Sequence, residues 1–123
     1  MSLTLPTNVE VVKIEQNQLA ATGARYIQRI DSVGIMEVLW IHFPPNCNAL
    51  VDIAVGIYPE SGKSIQLIPT QDNTYINLDD VTIAFHPYEP TEAGYRLWAD
   101  IYNYDAGNSH NISIMAEIRK SKR

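Results

Sequence analysis

The sequence predicts an all-β fold, an antiparallel two-sheet β-sandwich of about eight strands for which a jelly roll is one connectivity. Three observations carry this. Residues 50–58, 95–104 and 110–119 each alternate apolar with mostly polar side chains, the period of two that a strand buried on one face requires. The stretches between them are rich in Pro, Gly, Asn and Asp, the residues that set turn geometry. No long segment repeats every 3.6 residues, so no helix competes for the chain.

Taken in order, residues 9–14 predict a first short strand, and the polar, small stretch 15–23 a loop or strand edge. Residues 24–30 place Tyr26, Gln28 and Ile30 on one side and Arg25, Ile27 and Arg29 on the other, and 31–34 has turn composition. Residues 35–43 form the most continuously apolar run, rich in Val, Leu, Trp and Ile. Such a run suits a strand covered on both faces or placed at an oligomer contact. Pro44 and Pro45 stop it, and Val51, Ile53, Val55 and Ile57 line one face of the strand over 50–58. A turn over 59–62 leads to a short strand over 64–68, closed by Pro69, and a polar loop over 70–74. Short strands follow over 75–78 and 81–86, with a bend at Asp79 and Asp80 and an irregular passage from Pro87 to Gly94. The strands over 95–104 and 110–119 flank a loop, 105–109, whose composition predicts a hairpin.

A chain of 123 residues fits one domain. Its 46% hydrophobic and 19% charged content is that of a chain that folds. The predicted organisation is an N-terminal arm over residues 1–7, the sandwich over 8–118 and a basic C-terminal tail over 119–123. The formal charge is −5, but four of the nine basic residues are Arg119, Lys120, Lys122 and Arg123. Without the tail, five basic groups face fourteen acidic ones. An acidic body argues against a nucleic-acid groove, which must replace phosphate counterions, and leaves only the tail for such a contact. The first residues carry no basic region followed by an apolar run, and no stretch of about 18 apolar residues offers a membrane helix. The expected setting is a cytoplasm, that of a cell or of an infected host.

No constellation announces a reaction. His42, His86 and His110 lack the spacing of a local metal motif. Asp72, Asp79, Asp80 and Asp105 lie in turns with Asn73, Asn103 and Asn108, an oxygen-rich set that could hold calcium but equally caps turns. Cys47 is the lone cysteine, which excludes an internal disulfide, and no local signature makes it a nucleophile. Asn111, Ile112 and Ser113 match a glycosylation acceptor inside a predicted strand. The expectation is a protein that is no enzyme and has no cofactor or metal.

The aromatic residues are more telling. Trp98, Tyr102 and Tyr104 alternate with the aliphatic face of their strand, and Trp40 lies in the apolar run. These four are the candidate interface or ligand residues, since Tyr and Trp give contact area with few rotamers to lose. The alternative is that both faces of the strand are covered within the sandwich.

An unsecreted all-β chain with a polar arm, core segments at 50–58 and 95–119 and no catalytic motif resembles the small β-sandwich structural proteins of virions, such as head decoration and minor capsid proteins of tailed phages. The resemblance is one of architecture and transfers no functional residue. It implies a virion component assembled in host cytoplasm, whose partners are its own copies, as a homo-oligomer, and a larger protein shell. The competing reading is a carbohydrate-binding module that stacks sugar rings on the Trp98 and Tyr102 face.

Overall fold

In a computed structural model, which describes residues 8–59 and 63–121, nine strands and no helix account for the regular structure. They are β1 (Val9–Gln18), β2 (Gly23–Arg29), β3 (Gly34–Phe43), β4 (Val51–Tyr58), β5 (Ile65–Ile68), β6 (Val81–Phe85), β7 (Glu89–Thr91), β8 (Arg96–Asn103) and β9 (His110–Lys120). One antiparallel sheet has the order β1-β9-β3-β6, with β7 also paired to β3; the other has the order β2-β8-β4-β5. The pairs nest: β1 with β9, β2 with β8, β3 with β6 and β4 with β5. That is a long antiparallel ribbon rolled into two sheets, the jelly-roll connectivity, with β7 as an added short strand.

The inner faces supply the core. Val12 and Ile14, Leu39, Ile41 and Phe43, and Ile112, Ile114, Ala116 and Ile118 of the first sheet are buried against Val51, Ile53, Val55, Ile57, Leu97, Ala99 and Ile101 of the second. Each set falls on every second residue, as the pleat demands. Cys47 joins this cluster from the loop before β4. Burial pushes its thiol up to about 11, with the charges of Asp79 and Asp105 adding to the effect, so it is an inert core side chain.

Five local expectations are corrected. Residues 105–109 close no hairpin, because β8 pairs with β2 and β4 while β9 pairs with β1 and β3, so the loop crosses from one sheet to the other. β1 does not end at residue 14 but runs through Gln18, because the polar residues 15–18 pair with Ser113, Ile112, Asn111 and His110 of β9. Residues 75–78 form no strand; the contact is one bridge, Ile53 to Ile76. The passage after Pro87 contains β7, where Pro90 sits opposite Ile35 on the sheet's edge, a position that tolerates its missing N–H. Arg119 and Lys120, grouped with the tail by charge, extend β9. The arm over 1–7, the tail's Lys122 and Arg123 and most of the 59–62 turn lie outside the described residues.

β3 also departs from strict alternation. Its register against β9 shifts between Met36 and Val38, a bulge at Glu37. One extra residue reverses the parity of every later side chain, so Met36 points inward before the bulge and Leu39, Ile41 and Phe43 after it. The continuous apolar run is therefore two half-runs. Ile35, Val38 and Trp40 are its half-buried outward members, together with His42.

Candidate interaction faces

Each sheet has an outer face, and the four predicted residues divide between them. On β8, Trp98 and Tyr102 point away from the core with Arg96 and Asp100, opposite inward Leu97, Ala99 and Ile101. In register, Trp98 lies between Ile27 of β2 and Gly56 of β4, and Tyr102 between Gly23 and Asp52. Both rings lie over glycine. A Cβ on Gly56 would stand 2.3 Å from Trp98 Cζ2, and one on Gly23 would stand 2.0 Å from Tyr102 Cδ1, so any side chain there would displace the ring.

Arg25 then closes the face. Its guanidinium lies 3.9 Å from the Trp98 ring centroid, within cation–π range. It is held there by two hydrogen bonds to Asp100, donated from Nε at 2.6 Å and Nη2 at 2.8 Å, and a third from Nη1 to the Tyr58 hydroxyl at 2.6 Å. The bidentate pair with Asp100 holds Arg25 protonated beyond its ordinary range, against the opposing effect of partial burial, with Tyr58 assisting. Arg96 sits 4.9 Å from the Tyr58 ring on the other side. The indole N–H of Trp98 donates to Ile57 O at 3.3 Å. Trp98 is 1% exposed and presents no open ring face. Tyr102, half-buried, meets Tyr75 edge-on at 5.6 Å, and burial first, then the Asp100 charge, raises its phenol. Tyr104, past the end of β8, is 64% exposed beside a small depression formed with Ala21, Thr22, Gly23 and Tyr102.

Trp40 belongs to the other outer face. The bulge at Glu37 turns it outward, between Met115 of β9 and Ala84 of β6. The neighbouring row is Glu15, Ser113, His42 and Thr82, in which His42 Nδ1 and Thr82 Oγ1 are 2.8 Å apart. Together with Lys13 these residues line a shallow, largely apolar depression of about 320 Å³. Val11, 50% exposed, extends the apolar surface along β1. Among the described residues, Trp40 Nε1 is buried and has no hydrogen-bond partner; neither Met115 nor Ala84 carries a side-chain nitrogen or oxygen. An indole N–H normally finds an acceptor when it leaves water.

The turn carboxylates and histidines are placed as follows. Asp105 accepts hydrogen bonds from the Gly107 N–H at 3.0 Å and Asn108 Nδ2, and pairs with His110 Nε2 at 2.9 Å. The Gly107 N–H first, then His110, hold its carboxyl below the usual range. Asn103 braces the same loop, donating to the carbonyls of Gln18 and Asn108. Asp79 accepts from the Asn48 N–H at 3.1 Å. These are turn-fixing roles. Among the described residues, no three His, Cys, Asp or Glu side chains gather closely enough to hold a metal ion.

Arg25, Gly56 and Met115 were not singled out from sequence as part of either face, whereas the alternation of β8 alone puts Asp100 beside Trp98 and Tyr102. A signal for one existed: glycine in the middle of an alternating strand, as at Gly56, marks close approach by a large neighbour.

No protein-family model matches the chain, and no curated protein matches it in sequence. Solved structures similar to it include the VP2 subviral particle of infectious bursal disease virus, at 14% identity and TM-score 0.48 over 92% of this chain and 33% of that one. The chain thus spans about a third of the viral protein. A CBM32-1 from a family 31 glycoside hydrolase of Clostridium perfringens is similar at 12% identity and TM-score 0.47, over 88% of this chain and 72% of that one. The Yersinia pseudotuberculosis-derived mitogen is similar at 12% identity and TM-score 0.47, over 93% and 90%. At these values the likenesses carry no residue or activity to this chain.

Proposed function

We infer that this chain is a non-enzymatic assembly protein, a component of a protein shell of the kind that encloses a virion, put together in the cytoplasm of a host cell. It acts through contacts with its own copies and with the larger shell. The observation that supports the reading is the state of the β1-β9-β3-β6 outer face. It is apolar, centred on Trp40 and Met115, and it leaves an indole N–H out of water without an acceptor. A surface of that kind suits contact with protein.

A carbohydrate-binding module is the second reading, favoured by one observation, the open ring of Tyr104 over its depression. Trp98 does not contribute, since Arg25 occupies its face. Sedimentation velocity and light scattering on the purified chain separate the two. The expected result is a discrete oligomer whose population grows with concentration. A monodisperse monomer at every concentration overturns the assembly reading, and retention of that monomer on a glycan column, lost in Tyr104→Ala, replaces it with the second.

A further inference from the structure

Resting on the assembly reading, we propose that the outer face of β1-β9-β3-β6 is a two-fold interface, covered by the same face of a second copy.

Size is the first argument. Three strands of ten or eleven residues, β1, β9 and β3, with the short β6 and β7 sharing the fourth position, give at about 4.8 Å spacing and about 3.4 Å per residue a face of roughly 19 by 34 Å. That is a projected area of roughly 650 Å², and side-chain relief raises the accessible area toward the ~800 Å² each partner contributes to a stable contact. The face as a whole is large enough, and no smaller part of it is.

Charge selects the occupant. The chain carries −5, so two copies repel over most of their surfaces. This face is the exception. Its charged side chains are Lys13 and Arg119 against Glu15, Glu37 and Glu117, two basic and three acidic. Lys13 already pairs with Glu15 at 2.7 Å and Arg119 with Glu37 at 3.2 Å, which leaves Glu117 alone uncompensated. A strongly basic partner would find little to attract it here, whereas a second acidic copy meets little repulsion. Isologous pairing also needs one patch that complements itself, and a patch with both signs around the Trp40 and Met115 centre does so, Glu117 between Val11 and Val38 being the one charge inside it that the described residues leave unpaired.

The test is sedimentation equilibrium on the full chain and on Met115→Asp and Trp40→Phe, with thermal unfolding of each. Met115→Asp places a charge in the apolar centre and should weaken association more than a hundredfold. Trp40→Phe keeps an aromatic ring but removes indole surface from the patch, so association should weaken about tenfold while the thermal midpoint of the monomer, freed of an unpaired donor, stays level or rises. A purely structural role for Trp40 would lower that midpoint instead. If both variants associate as the parent does, the parent assembles through another surface and this inference falls while the assembly reading stands. If the parent itself does not associate, both fall.

Discussion

The two outer faces of this sandwich each carry one tryptophan, and the chain treats them in opposite ways. Trp98 is seated over Gly56, capped by Arg25, and its N–H reaches Ile57 O. Among the described residues, Trp40 has Met115 and Ala84 beside it, no cap, and an N–H with no acceptor. The first face is finished within one chain: aromatic surface is removed from water by a guanidinium that Asp100 and Tyr58 hold in place. The second is finished only if something else covers it. An aromatic side chain on the outside of a sheet is thus not by itself a sign of function. What matters is whether glycine seats, cation caps and acceptors for its N–H are present around it.

The contrast can be broken most severely at Gly56. A methyl group there would stand 2.2 Å from Ile65 O as well as 2.3 Å from Trp98, and a backbone oxygen on the paired strand β5 cannot step aside cheaply. Gly56→Ala should cost about 2–4 kcal/mol of stability, at or above the usual range for overpacking, read from urea unfolding. An unchanged midpoint would mean that Trp98 does not need its glycine seat and that the face is less closed than described.

The next effect belongs to the cap. Asp100 is 8% exposed at its side chain and Arg25 35%, so their pair is half in solvent and its loss is discounted from the cost of a fully buried one. Asp100→Ala should destabilise by about 1–3 kcal/mol. Arg25→Met should cost at least as much, because the thioether chain still covers Trp98 but leaves the buried Asp100 carboxylate without its cation. In a double-mutant cycle the two should be strongly non-additive; additive losses would show that the lid is not a unit.

These residues also show how far the sequence was legible. Alternation over 50–58, 95–104 and 110–119 was enough to locate β4, β8 and β9, because burial of one face writes itself into every second residue. Residues 15–18 read only as loop or strand edge, because what holds them as strand is backbone pairing to β9, which leaves no apolar trace. The run over 35–43 was visible but misleading in form. A single bulge at Glu37 switches its inward set, so apolar residues appear on both parities of a strand whose outward side is only half-buried. The fate of Trp98 was not readable from β8 at all. It depends on Gly56 and Arg25, which register alone brings alongside, and register is a property of the pairing rather than of either strand.

The smallest expected effect is the one that defines the other side of the comparison. If the face around Trp40 is completed only by a second copy, its side chains do little for the fold of one chain. Met115→Gln removes apolar surface from the centre of the patch, yet Met115 touches the core with none of its outward side chain. Its inward neighbours on β9, Ile114 and Ala116, are fully buried without it. Measured in urea at a concentration low enough to keep the chain monomeric, the substitution should change stability by no more than about 0.5 kcal/mol, the range of ordinary surface changes. A loss as large as that of Asp100→Ala would place Met115 among the residues that hold the monomer together. The two faces would then differ in chemistry but not in purpose, and the open appearance of the Trp40 face would be a matter of packing within the chain.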